Sequence, residues 1–156
     1  MIPCNHIAVL KKIYGRMKGK EVVWVVTGSL GLALRGIPVQ VHDIDIQTDK
    51  RGAYAFEKIF SEYVSRTVTF SSSSGMRSFF GELTIEGLKV EIMGDVQHLL
   101  EDGRWDDPPD IIRYKQTVDV EGMAIPVLAL ECELRAYRRL GRADKVKAIE
   151  KRLRCR

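Results

Sequence analysis

Apolar residues recur at helical spacing over 5–18, at Ile7, Val9, Leu10, Ile13, Tyr14 and Met17. This predicts an N-terminal amphipathic helix that Gly19 stops. The run VVWVV at 22–26 is continuous and β-branched, which predicts a buried strand. Thr27-Gly28-Ser29 breaks it, and a short helix is predicted over 29–35, ended by Gly36 and Pro38. Residues 39–47 alternate around Asp43 and Asp45 and predict a second strand with one polar and one apolar face. A helix over 52–63 follows, then a strand over 64–70. Ser71 to Ser74 with Gly75 predict a short mobile loop.

Further on, 79–85 and 88–93 predict strands of a hairpin turning at Glu86-Gly87. A short helix is predicted over 96–100 and a Pro- and Asp-rich loop over 105–110. A second hairpin is predicted from 114–120 and 123–127, turning at Glu121-Gly122, and then helices over 128–140 and 143–154. Strands and helices are mixed and several strands come as hairpins, so the expected fold is α/β or α+β, a mixed sheet flanked by helices. One domain over 1–156 is expected, with a core over about 20–127 and a helical segment over about 128–156.

The chain has 156 residues, of which 45 % are hydrophobic, enough for an ordinary globular core and too many for a disordered chain. No apolar run approaches the roughly 20 residues of a membrane span, and the first ten residues lack a signal-peptide pattern. Cys4, Cys132 and Cys155 are widely spaced, with no CxxC pair, so free thiols and a cytoplasmic location are expected. The net charge of +4 hides a split: residues 135–156 carry ten basic and two acidic residues, and the rest carry 15 basic and 19 acidic. The basic tail reads first as a solvated surface.

Two features bear on chemistry. Asp43 and Asp45 are two apart on the predicted strand, so both carboxylates point the same way, roughly 6.5 to 7 Å apart along the backbone. Ile44 and Ile46 fix the other face in the core. One divalent cation, or a pair of them, would relieve the repulsion. The plain alternative is the solvent face of an edge strand, although Asp is disfavoured in strands. The same alternation turns His42 away from Asp43 and makes it structural. The second feature is Gly28-Ser29 between strand and helix. Free N–H groups and the Ser29 hydroxyl there suit an anion, and Gly28 lets a ligand come close. Here the plain alternative is Ser29 as a helix cap. Neither a Rossmann fingerprint nor a P-loop is present.

A strand, Gly-Ser, a short helix, then Asp-x-Asp between apolar residues together resemble the signature of the nucleotidyltransferase superfamily, whose fold DNA polymerase beta shares. Residues 22–93 carry the likeness, closest to the small, minimal proteins of that superfamily. A third carboxylate on a later strand usually completes the metal site there, and Glu91 in Leu88-Lys89-Val90-Glu91-Ile92-Met93 stands where it is needed. A salt bridge is its other reading, and Glu82 and Glu86 are weaker candidates. In the C-terminal helical segment, Arg138, Arg139, Arg142 and Asp144 match the family's charged residues only approximately.

The resemblance implies that Asp43, Asp45 and Glu91 form the catalytic and metal site, holding one or two Mg²⁺ ions, with Mn²⁺ a substitute. It also implies that Gly28 and Ser29 bind the phosphates of a nucleoside triphosphate, ATP first. A nucleoside monophosphate would pass to the hydroxyl of an unidentified small molecule or protein, releasing pyrophosphate. A non-catalytic nucleotide-binding or antitoxin-like partner-binding module is the alternative, and a two-metal nuclease ranks last. No membrane partner is expected, and the oligomeric state is open, a homodimer included. The loops at 71–75 and 105–110 are the expected specificity elements.

Overall fold

A computed structural model describes residues 2–155. It contains α1 (Cys4–Met17), β1 (Trp24–Thr27), α2 (Gly28–Leu34), β2 (Ile44–Thr48) and α3 (Lys50–Ile59), the last followed by a 3₁₀ turn at Ser61–Tyr63. Then come β3 (Val64–Ser73), β4 (Met76–Ile85), β5 (Leu88–His98), α4 (Ile111–Tyr114), β6 (Lys115–Val120), β7 (Met123–Leu128), α5 (Leu130–Arg139) and α6 (Ala143–Arg154). The seven strands form one sheet in the order β3-β4-β5-β2-β1-β7-β6. The mixed α+β architecture expected from the sequence is the one observed. No helix among the described residues is long and apolar enough to cross a membrane.

At the centre of the sheet, β2 runs antiparallel to β1 and parallel to β5, while β1 runs parallel to β7. Alternation along these strands sorts residues between two faces. Trp24, Val26, Ile44, Ile46, Val90 and Ile92 join one core with Leu10 and Ile13 of α1 and Ala53 and Phe56 of α3. Val25 turns the other way, against Leu128, Ala129 and Cys132. Thr27, Asp45, Gln47 and Glu91 therefore share the face that α5 covers. A third cluster, Leu32, Ile37, Leu130 and Ile149, fastens the C-terminal helices to α2.

Three expectations change. The strand predicted over 39–47 is regular only from Ile44. The preceding stretch is irregular because Ile37 and Val39 pack on the C-terminal helices instead of pairing in the sheet. Ser71–Ser73 are strand, not loop: they pair with Ser78, Arg77 and Met76. Ser74 and Gly75 both take positive φ, +49° and +77°, which closes a two-residue hairpin turn whose twist matches that of the strands. The helix predicted over 96–100 is the end of β5, where Gln97 and His98 pair with Arg77 and Met76. A register shift at Asp95, which has φ +52°, lets that strand continue past a bulge.

Phe56 is the aromatic centre of the larger core. It is fully buried, meets Trp24 edge-on at 6.0 Å between centroids and stacks on Phe60 at 5.7 Å. Phe56→Ala should cost about 3–5 kcal/mol, read as a lower urea midpoint with the slope unchanged.

Candidate active site

The turn from β1 into α2 is pressed against β2. Gly28 has φ +68°, and a Cβ built on it would stand 2.2 Å from Asp45 Oδ2. Only glycine therefore allows the β1–α2 turn to lie beside that carboxylate. Asp45 faces Thr27 across one strand pair and Glu91 across the other. It is thus wedged between the glycine turn and a second acid. Its carboxyl is pushed up to about 8, first by burial, then by the charge of Glu91 and a hydrogen bond to it, then by Asp43 and Glu133. Burial and the neighbouring acids thus both favour the neutral form of this carboxyl.

Asp43 sits one residue before β2, half-buried. The neighbouring His42 is fixed from both sides. Its N–H donates to Ser29 Oγ at 3.0 Å, and its carbonyl accepts from His6 Nε2 at 2.6 Å. A cleft of about 160 Å³ is lined by Ser29, His42, Asp43, Asp45, Glu91, Tyr137, Arg142 and Lys145. The three predicted carboxylates and Ser29 therefore meet in one place. His42 also lines this cleft and is exposed, which corrects the expectation that it points away: strand alternation does not govern a residue that precedes the strand.

Gly28 abuts the site from behind. Its N–H donates to Glu133 Oε2 at 3.1 Å, and the Thr27 hydroxyl donates to Glu133 Oε1. The Gly28 N–H is therefore already engaged within the fold. Glu133 is 4 % exposed and was not a sequence candidate. Its carboxyl is pushed up to about 7 by burial, against the opposing pull of Thr27, the Gly28 N–H and Arg35. Tyr137, one turn further along α5, has its phenol pushed up by burial, then by Glu133 and Asp45. Lys145, in the first turn of α6, is 8 % exposed and was likewise missed. The usable signal was the four-residue spacing of Glu133 and Tyr137 on one helix face. Of the approximate matches, only Arg142 lines the cleft. Arg138 pairs with Glu150, Arg139 with Asp106, and Asp144 with Arg142. Glu82 lies beside Glu91 on β4 and near Lys89, and Glu86 is near Lys12 at a hairpin turn.

Among the described residues, no three His, Cys, Asp or Glu side chains stand ready as a metal cage. The donor set nonetheless fits Mg²⁺, which takes one or two carboxylates and completes its shell with water and phosphate oxygens. A cation between Asp45 and Glu91 would relieve the repulsion that raises the Asp45 carboxyl.

A sequence profile of the aminoglycoside-2''-adenylyltransferase family matches residues 9–153. The chain belongs to that family. It is similar along 100 % of its length to a Thermotoga maritima protein assigned as a nucleotidyltransferase, with 56 % identity, 97 % of that chain covered and a TM-score of 0.87. The lincosamide adenylyltransferase LnuA, solved with lincomycin, shares the fold at 15 % identity and TM-score 0.58, over 96 % of this chain and 97 % of that one. The aminoglycoside enzyme ANT(2'')-Ia, solved with adenylyl-2''-tobramycin, does so at 11 % and 0.65, over 96 % and 90 %. No curated protein matches the chain. The family member described here is thus a transferase of the nucleotidyltransferase superfamily, as the Gly-Ser and Asp-x-Asp spacing led one to expect.

Glu133 makes stability depend on pH. With a folded value near 7 against an ordinary 4.5, the folded state keeps a proton that the unfolded state releases. Stability therefore falls as pH rises through that window and is flat above it. Glu133→Gln, which mimics the protonated acid, should lose this slope, gaining on the parent by of order 1–3 kcal/mol between about pH 4.5 and pH 8 in denaturation curves.

Proposed function

We propose that the protein is a divalent-metal-dependent nucleotidyltransferase that moves a nucleoside monophosphate from a nucleoside triphosphate to an acceptor hydroxyl and releases pyrophosphate. The observation that carries this reading is the convergence of Asp43, Asp45, Glu91 and Ser29 in one cleft with Arg142 and Lys145. Acids alone would repel a triphosphate, and bases alone would offer a cation no seat. ATP is the first donor to test.

In this reading Asp43, Asp45 and Glu91 hold one or two Mg²⁺ ions, for which Mn²⁺ can substitute. An ion held there would supply charge neutralisation of the triphosphate and a lowered pKa for the attacking hydroxyl. Ser29 Oγ accepts the His42 N–H, which leaves its own proton to donate to a phosphate oxygen. Gly28 contributes by having no side chain, which leaves the turn low beside Asp45. Lys145 and Arg142 meet the charge of the phosphates. Catalysis is then mostly positioning and charge neutralisation in an in-line displacement. The acceptor is a small molecule or protein bearing a hydroxyl. Three free cysteines support a reducing, cytoplasmic setting.

Asp43→Asn with Asp45→Asn should lower Mg²⁺-dependent nucleotide binding and label transfer from α-labelled ATP by at least about 100-fold. Asn is neutral and removes the mutual repulsion of these carboxylates, so the thermal midpoint should hold or rise. A double variant that binds Mg²⁺ and nucleotide like the parent would overturn the metal-site reading. A parent that binds both yet transfers label to no acceptor would support a binding module instead. Separately, Lys145→Ala should weaken ATP binding by roughly tenfold, measured by calorimetry with Mg²⁺ and a non-hydrolysable analogue.

A further inference from the structure

Asp43 contributes a carboxylate from outside the sheet. β2 pairs with β1 and β5 only from Ile44 onward. The peptide that carries Asp43 precedes the first paired residue of β2, and its charge is repelled by the acids it faces. Left to itself, such a side chain on irregular backbone would swing towards water.

Two side chains from elsewhere grip that peptide instead. Ser29 of α2 takes the His42 N–H, and His6 of α1 donates Nε2–H to the His42 carbonyl at 2.6 Å. His6 is 6 % exposed, on a helix face otherwise made of Val9, Leu10, Ile13 and Met17. An imidazole buried among aliphatic residues is costly unless hydrogen-bonded. Its bond into the active-site segment spans 36 positions of sequence. Asn5 Oδ1 stands 3.2 Å from its other ring nitrogen.

We propose that His6 is a positioning residue for the metal site: from α1 it holds the His42 peptide so that Asp43 stays turned towards Asp45 and Glu91. This rests on the reading of those three carboxylates as divalent-cation ligands. α1 then has two functions, closing the core with its aliphatic residues and setting one ligand with its single buried imidazole. Were His6 only a core residue, any replacement of equal stability would serve; if it positions Asp43, the replacement must carry a donor of the right reach.

The test compares His6→Gln with His6→Asn, the same amide at two lengths. Mn²⁺ binding is measured by the electron paramagnetic resonance signal of the free ion, with a non-hydrolysable ATP analogue present, and thermal midpoints are recorded alongside. The parent and His6→Gln should bind Mn²⁺ about equally, and His6→Asn should bind roughly tenfold more weakly at a midpoint close to that of His6→Gln. Should the Asn variant not fold, His6→Leu, which fills the space without a donor, takes its place with the same expectation. Equal Mn²⁺ binding by all folded variants and the parent would overturn the proposal. Absence of Mn²⁺ binding in the parent would instead overturn the reading of the carboxylates, and this proposal with it.

Discussion

Two acids side by side on neighbouring parallel strands, half-buried under a helix, resist being charged together. The pairing of Asp45 with Glu91 sets that condition, and much of the surrounding structure responds to it. The β1–α2 turn has to be glycine because Asp45 occupies the space a side chain would need. Glu133, a buried acid of α5, is balanced by a hydroxyl and a backbone amide, with the charge of Arg35 adding to their pull. Among the described residues, the lysine and arginine that line the cleft are Lys145 and Arg142. The raised Asp45 carboxyl is the direct expression of that condition.

The sheet face of the site was legible in the sequence because its determinants are local. Gly28 and Ser29 stand at a strand end, and Asp45 and Glu91 are each flanked by aliphatic residues whose burial fixes which way the acids point. What was not legible came from elements that meet only in three dimensions. Glu133 looks like an ordinary helix acid until α5 is laid over Thr27. Lys145 looks like one base among ten in a basic tail. His42 defeated the alternation rule because the chain there is held by side chains, not by a ladder. The hairpin at 71–76 was hidden for another reason: four serines carry no hydrophobic period, and the pairing is specified by the turn and by Phe70 opposite Phe79.

The charge split along the chain also takes on a specific meaning. Most of the basic tail is surface, and several of its arginines are tied up locally, Arg138 with Glu150 and Arg139 with Asp106. Two of the bases line the cleft: Arg142, between α5 and α6, and the buried Lys145, in the first turn of α6. A whole-chain net charge suggests a polyanion spread across a surface, whereas this placement suggests a compact anion held against carboxylates.

The strand order divides the sheet by the length of chain its contacts must span. β3, β4 and β5 are joined by tight hairpins, as are β6 and β7, and each pairs with a sequence neighbour. β1 instead meets β7 at Val26 and Val127, about a hundred residues apart, and such closures carry the larger entropic cost and slow folding. The site stands on these long closures. The outer hairpins can lengthen, shorten or change residues without shifting the register that brings Asp45 to Glu91. The centre lacks that freedom, because a slip of one residue there turns both acids into the aliphatic core. The architecture thus leaves its margins open to diversification, around a carboxylate cleft that connectivity keeps fixed.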